Sequence, residues 1–147
     1  MKAPIFTRPL DESASAAKTA IYARVASADD WAIESQERFL LTYAENNGYG
    51  QCVCYRDNGE SGVTLNRPAL RDMFLDIESG VIGTVIVKDL SRLSRNYWEL
   101  DELVSLMTAK NVLLISVSDG GVVNGTDGSL TEVSRALRLL VEQYTQA

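Results

Sequence analysis

The chain has 147 residues, 46% of them apolar and 23% charged, with 14 Lys and Arg against 20 Asp and Glu for a formal charge of -6. This profile fits one compact domain able to bury a full hydrophobic core. The absence of histidine excludes a Ser-His-Asp triad, a Cys-His pair, His-ligated zinc and imidazole acid–base chemistry. No apolar run reaches the about 20 residues of a membrane span, and the acidic balance argues against a self-sufficient nucleic-acid binder unless its cations gather in one place.

In chain order, residues 1–18 lack the apolar stretch of a signal peptide and read as a flexible extension. Residues 19–25, TAIYARV, form a β-prone run. Asp29 or Asp30 then caps a helix from about Trp31 to Asn47, stopped by Gly48. A second strand near 51–56 carries Cys52 and Cys54 at i and i+2, on one face and poorly placed to bridge each other; both are expected as reduced, buried thiols. The turn formers DNGESG make a surface loop. Asn66, Arg67 and Pro68 open a helix whose apolar face is Leu70, Met73, Phe74 and Ile77, closed by Gly80.

The run TVIVK from Thr84 suits a central strand covered on both faces. A loop, DLSRLSRN, leads to a helix with Leu100, Leu103, Val104 and Met107 on one side, and residues 111–117 form another buried strand. Gly120, Gly121, Gly125 and Gly128 punctuate a loop. Ser129 and Glu132 form a capping box for a last helix through Val133, Leu137, Leu140 and Tyr144, widened by Leu139 and Val141. The expected fold is α/β: a mostly parallel central sheet of four or five strands flanked by helices in three Rossmann-like layers, with ligands at the carboxyl ends of the strands.

Those ends carry the chemistry. Ten of the fourteen cations are Arg, the side chain suited to forked contacts with phosphate oxygens. Arg92 and Arg95, three apart, are expected to project together from the first turn of the helix after the loop. Two cations there oppose the helix dipole, and an anion between them offsets the cost; the alternative is a solvated basic loop. Arg24 ends the first strand, where it either pairs with a surface carboxylate or joins Arg67, Arg92 and Arg95 around one anion. For four guanidinium groups the obvious anion is a phosphodiester.

The segments YARVAS, IESQ, YRDNGESG, NRPAL and VIVKDLSRLSRN, in this order and spacing, resemble the catalytic domain of serine site-specific recombinases, the resolvase, invertase and large integrase family. The resemblance covers about residues 19–145, and the spacing of IESQ and the form RLSRN are more similar to the large integrase and transposase branch. It implies a resolvase-like fold and DNA strand exchange with no cofactor or metal: a serine hydroxyl attacks a phosphodiester, forming a 5'-phosphoserine that stores the bond energy for resealing.

By the same resemblance, Arg24, Arg67, Arg92 and Arg95 hold the phosphate and stabilise the transition state. Gln36 and Asp57 are polar residues near that centre, Asp57 orienting an arginine or moving a proton, while Ser61 and Lys88 stand behind it. The family's nucleophilic serine falls on Ala26. Alanine cannot attack phosphorus, so the chain is expected to be inactive through an introduced Ser-to-Ala change. A natural inactive variant and transfer of the role to Ser27 are the alternatives; a shift of one residue moves the oxygen by about 3 Å along the backbone.

The implied organisation is an extension at 1–18, a catalytic domain at 19–128, the start of a truncated long oligomerisation helix at 129–147, and DNA-binding domains that lie outside this chain. The implied partners are double-stranded DNA attachment sites, further copies forming a dimer and tetramer, and a directionality factor, in a bacterial or phage-encoded cytoplasmic protein with no membrane contact. Two rivals are a noncatalytic DNA-associated assembly protein with this fold and a small α/β enzyme acting on a phosphorylated metabolite. No GxGxxG or P-loop sequence supports the second.

Overall fold

The computed structural model describes residues 17–59 and 67–124. Strand β1 (Lys18–Val25) is buried from Thr19 to Arg24, as a strand covered on both faces requires. Helix α1 (Asp30–Asn46) begins where the Asp29 carboxylate accepts from the Ala32 N–H at 3.0 Å, and it turns Ile33, Gln36, Leu40 and Ala44 inward at helical spacing. It ends at Asn47, before Gly48 at φ +82°. The remaining elements are β2 (Cys52–Asn58), α2 (Pro68–Glu78), β3 (Ile82–Val87), α3 (Tyr97–Ala109), β4 (Leu113–Ser116) and the short β5 (Gly121–Val122).

The sheet has the order β2-β1-β3-β4-β5, with the first four strands parallel and β5 antiparallel to β4. This is the expected α/β architecture of four or five mostly parallel strands flanked by helices. Leu40 and Ala44 of α1 pack with Ile21, Ile86 and Ile115 on one face. On the other, Leu70, Met73 and Ile77 of α2 and Leu100, Leu103, Val104 and Met107 of α3 pack with Ala20, Tyr22, Val85, Val87 and Leu114. Each large aliphatic side chain buried this way contributes roughly 1.5–3 kcal/mol. The chain leaves β1 towards β2 on one side and reaches β3 on the other, so the crevice between the carboxyl ends of β1 and β3 is the topological switch point.

Four expectations need correction. Strand β2 runs to Asn58, two residues further, because Arg24 and Val25 pair with Asp57 and Asn58; Asp57 is a strand residue rather than a loop residue. The strand expected at 111–117 is confined to Leu113–Ser116: Asn111 takes φ +60° to leave α3, and Val117 enters a 3-10 turn. Cys52 and Cys54 are free thiols on β2, but Cys54 is exposed, because β2 is an edge strand. Arg92 and Arg95 do not share the first turn of the following helix. Asn96 caps α3 by accepting from Trp98 and Glu99 N–H, and Arg92 ends a separate 3-10 turn, Leu90–Arg92. Ser61, Gly125, Gly128, the last helix and nearly all of the N-terminal extension lie outside the described residues. Among the described residues no helix is long and apolar enough to cross a membrane.

Candidate active site

Two of the four arginines are interior. Arg24 and Arg67 are 1% and 0% exposed. Both reach the 3-10 turn after β3 and donate to its main-chain carbonyls: Arg24 Nε to Arg92 O at 3.1 Å and Nη2 to Ser91 O at 3.0 Å, Arg67 Nη1 to Arg92 O at 2.6 Å and Nη2 to Leu93 O. Arg92 returns the contact through Nη1 to Arg24 O at 3.2 Å, and its Nε faces Asp89 Oδ2 at 3.5 Å. Arg95, three residues on, is exposed.

Burial, followed by the charge of Arg67 and then those of Arg92 and Arg95, depresses the Arg24 pKa below its ordinary value. Arg24, Arg67 and Arg92 therefore share one turn, and the charge of Arg95 also reaches Arg24. Their settings differ: Arg24 and Arg67 are buried against main-chain carbonyls, Arg92 is half-buried and Arg95 is exposed.

The supporting groups come from three elements. Gln36 of α1 clasps the end of β1, its Oε1 accepting from Arg24 N–H at 3.1 Å and its Nε2 donating to Arg24 O at 3.2 Å. Asp57, 3% exposed, accepts from Ala69 N–H at 2.9 Å, Leu70 N–H at 3.0 Å and the Tyr22 hydroxyl at 2.7 Å. Helix α2 opens with Pro68 at N1 and has no cap from its own Arg67 side chain, so a strand carboxylate satisfies its first N–H groups and meets the positive end of its dipole. The Tyr22 hydroxyl also accepts from Arg67 Nη1 at 3.0 Å. Burial, with Asp57 second, raises the Tyr22 pKa far above the usual phenol range, so it remains a neutral donor.

Ala26 and Ser27 form the exposed bend that follows β1, two and three residues beyond Arg24. Lys88 is exposed at the end of β3, and its carbonyl accepts from Ser118 N–H at 2.8 Å. Three further residues belong to this region. Tyr22 joins Asp57 to Arg67; Asp89 caps the 3-10 turn by accepting from Ser91 N–H at 3.1 Å and from the Ser91 hydroxyl; and Asp119 accepts from Leu90 N–H at 3.1 Å and Ser116 Oγ at 2.6 Å. Asp89 had a readable signal, an Asp two residues before a Ser at a strand end. Tyr22 had a weaker one, lying at i−2 from Arg24 on the same strand face. For Asp119 only the contact to Ser116, three residues back, was local; its link to the Leu90 amide, 29 residues away, had no signal.

The arginine-held turn lies at the switch point of an open α/β sheet, the edge at which ligands of such sheets bind. The chain belongs to the resolvase family of serine recombinases: the family model "Resolvase, N terminal domain" matches residues 19–146. It is 34% identical over 113 residues to the "Putative DNA recombinase" of Bacillus subtilis (strain 168), covering 76% of this chain and 22% of that protein. The chain thus spans about a fifth of the length of that curated relative.

Among solved structures, it is similar to the N-terminal catalytic domain of TP901-1 integrase, with a TM-score of 0.73 and 31% identity over 88% of this chain and 96% of that one. It is also similar to a resolvase family site-specific recombinase from Streptococcus pneumoniae, with a TM-score of 0.71 and 28% identity over 88% and 89% of the two chains.

Proposed function

We propose that the chain is the catalytic domain of a DNA recombinase that cleaves and rejoins phosphodiesters through a phosphoserine, and that the nucleophile position is Ala26. The observation that carries this reading is the convergence of Arg24, Arg67 and Arg92 at the switch point, with Ala26 two residues past Arg24 on the exposed bend. Arg92 and the exposed Arg95 contact the scissile phosphate, while Arg24 and Arg67 hold the turn beneath it. Gln36 and Asp57 fix the two ends of that frame, Ser61 and Lys88 take the supporting roles that the family resemblance gives them, and the chain as it stands is inactive because Ala26 carries no hydroxyl.

The motif forms IESQ and RLSRN, with the likeness to TP901-1 integrase, support the large integrase branch. The wider reading follows the organisation set out above: a catalytic unit at 19–128, an oligomerisation helix from 129, duplex DNA attachment sites bound by domains outside this chain, dimer and tetramer assembly, a directionality factor, and action in the cytoplasm. The test is covalent protein–DNA adduct formation on duplex DNA from the ends of the encoding element, with the domain joined to a DNA-recognition region. Ala26→Ser is expected to form the adduct where the unaltered sequence does not. Adduct formed by the unaltered sequence and lost with Ser27→Ala overturns the assignment of position 26.

A further inference from the structure

The turn that carries Arg92 is held from two directions. On its carbonyl side, Arg24 and Arg67 draw Ser91, Arg92 and Leu93 towards β1 and the start of α2. On its amide side, the Asp119 carboxylate accepts from Leu90 N–H at 3.1 Å. That carboxylate is itself fixed: Ser116 Oγ donates to it at 2.6 Å from the fully buried end of β4, and Ser118 N–H ties the same segment to Lys88 O at 2.8 Å.

We propose that Asp119 is a positioning residue for Arg92, setting the height of the Leu90–Arg92 turn at the switch point and so the place of the guanidinium that meets phosphate. The proposal rests on the anion-site reading above. Asp89 cannot do this work, because its contacts to Ser91 and Arg92 lie within its own turn; they shape the turn without locating it on the sheet. Asp119 belongs to the segment after β4 and joins that segment to the turn. A carboxylate accepting from an amide makes a charge-assisted bond, stronger than a neutral one. Leu90 lies two residues before Arg92 in a tight turn, so a displacement at the Leu90 amide carries directly to the arginine.

The experiment uses the full 147-residue chain, isotopically labelled, and follows the Arg92 Nε–H resonance during titration with inorganic phosphate, with thermal unfolding recorded for every variant. Asp119→Ala is expected to weaken phosphate binding about ten-fold, because the turn loses the charge-assisted hydrogen bond at the Leu90 amide together with the Ser116 bond that fixes it. Asp119→Asn is expected to stay within about two-fold, because the amide oxygen can still accept from Leu90 and Ser116. Ser116→Ala, which frees the carboxylate without removing it, is the second arm and is expected to cost about three-fold; it decides the matter if Asp119→Ala does not fold.

Unchanged affinity in the folded variants overturns the positioning role while leaving the anion site standing. An Arg92 resonance that ignores phosphate in the unaltered chain overturns the anion site itself, and the proposal with it.

Discussion

Arg67 Nη1 donates a 2.6 Å hydrogen bond to the main-chain carbonyl of Arg92, so one arginine of the cluster holds the backbone that presents another. A fully buried guanidinium bonded to two carbonyls and a tyrosine hydroxyl acts first as a structural brace. Arg67→Met is expected to cost about 3–5 kcal/mol, because the Arg92 and Leu93 carbonyls lose a charged donor in the interior. Arg95→Ala, at an exposed site, is expected to change stability by no more than about 0.5 kcal/mol. Urea unfolding of the two variants checks the contrast; equal losses would refute it.

The same division predicts different effects on chemistry. In an Ala26→Ser domain joined to a DNA-recognition region, Arg92→Ala and Arg95→Ala are each expected to abolish adduct formation while circular dichroism keeps the parental spectrum. Retained cleavage in either variant would remove that residue from the phosphate contact.

Tyr22→Phe deletes the hydroxyl between Asp57 and Arg67. Asp57 keeps the Ala69 and Leu70 amides, so the expected loss is one buried hydrogen-bonded group, about 1–2 kcal/mol. Thermal unfolding measures it, and a variant as stable as the parent would show that the hydroxyl contributes nothing to the brace.

Cys54 is exposed yet its thiol is pushed up to about 11, chiefly by burial of the sulfur and then by the charge of Glu37. At pH 8 the thiolate fraction is then roughly a hundred-fold below that of a thiol at the ordinary value, and alkylation slows in proportion. Peptide-resolved mass spectrometry with iodoacetamide is expected to show slow labelling at Cys54, accelerated by Glu37→Gln. Labelling as fast as a free cysteine at pH 8 contradicts this.

Glu37 accepts a fork from Arg56, at 2.9 Å from Nε and 2.8 Å from Nη2. Hydrogen bonding to Arg56 holds its carboxyl below the ordinary value of 4.5. A depressed carboxyl stabilises the fold above its unfolded pKa, and the contribution is lost as pH falls below about 4.5 through the folded value. With the Arg56 side chain 45% exposed, the contribution is at most about 1 kcal/mol. Glu37→Gln is expected to flatten the acid limb of the stability profile; an unchanged slope in pH-dependent urea unfolding would refute the pairing.

Local sequence determined the elements. Pro68 at the start of α2, Asp29 as a cap, the apolar stripes of α2 and α3, and the β-branched run of β3 act over a few residues, and the structure forms each within a residue or two of its expected place. The motif order also named the family, because its motifs place particular residue types at set spacings. Tertiary structure decided what each arginine does. Whether a guanidinium meets solvent or a carbonyl depends on which strands are neighbours, and the β2-β1-β3 order places Arg24 and Arg67 beneath a turn that belongs to neither segment. Asp57 capping a helix from another strand and Asp119 holding an amide 29 residues away are contacts between chain-distant groups. No local spacing encodes them, because burial and hydrogen-bond satisfaction are settled only when the sheet closes.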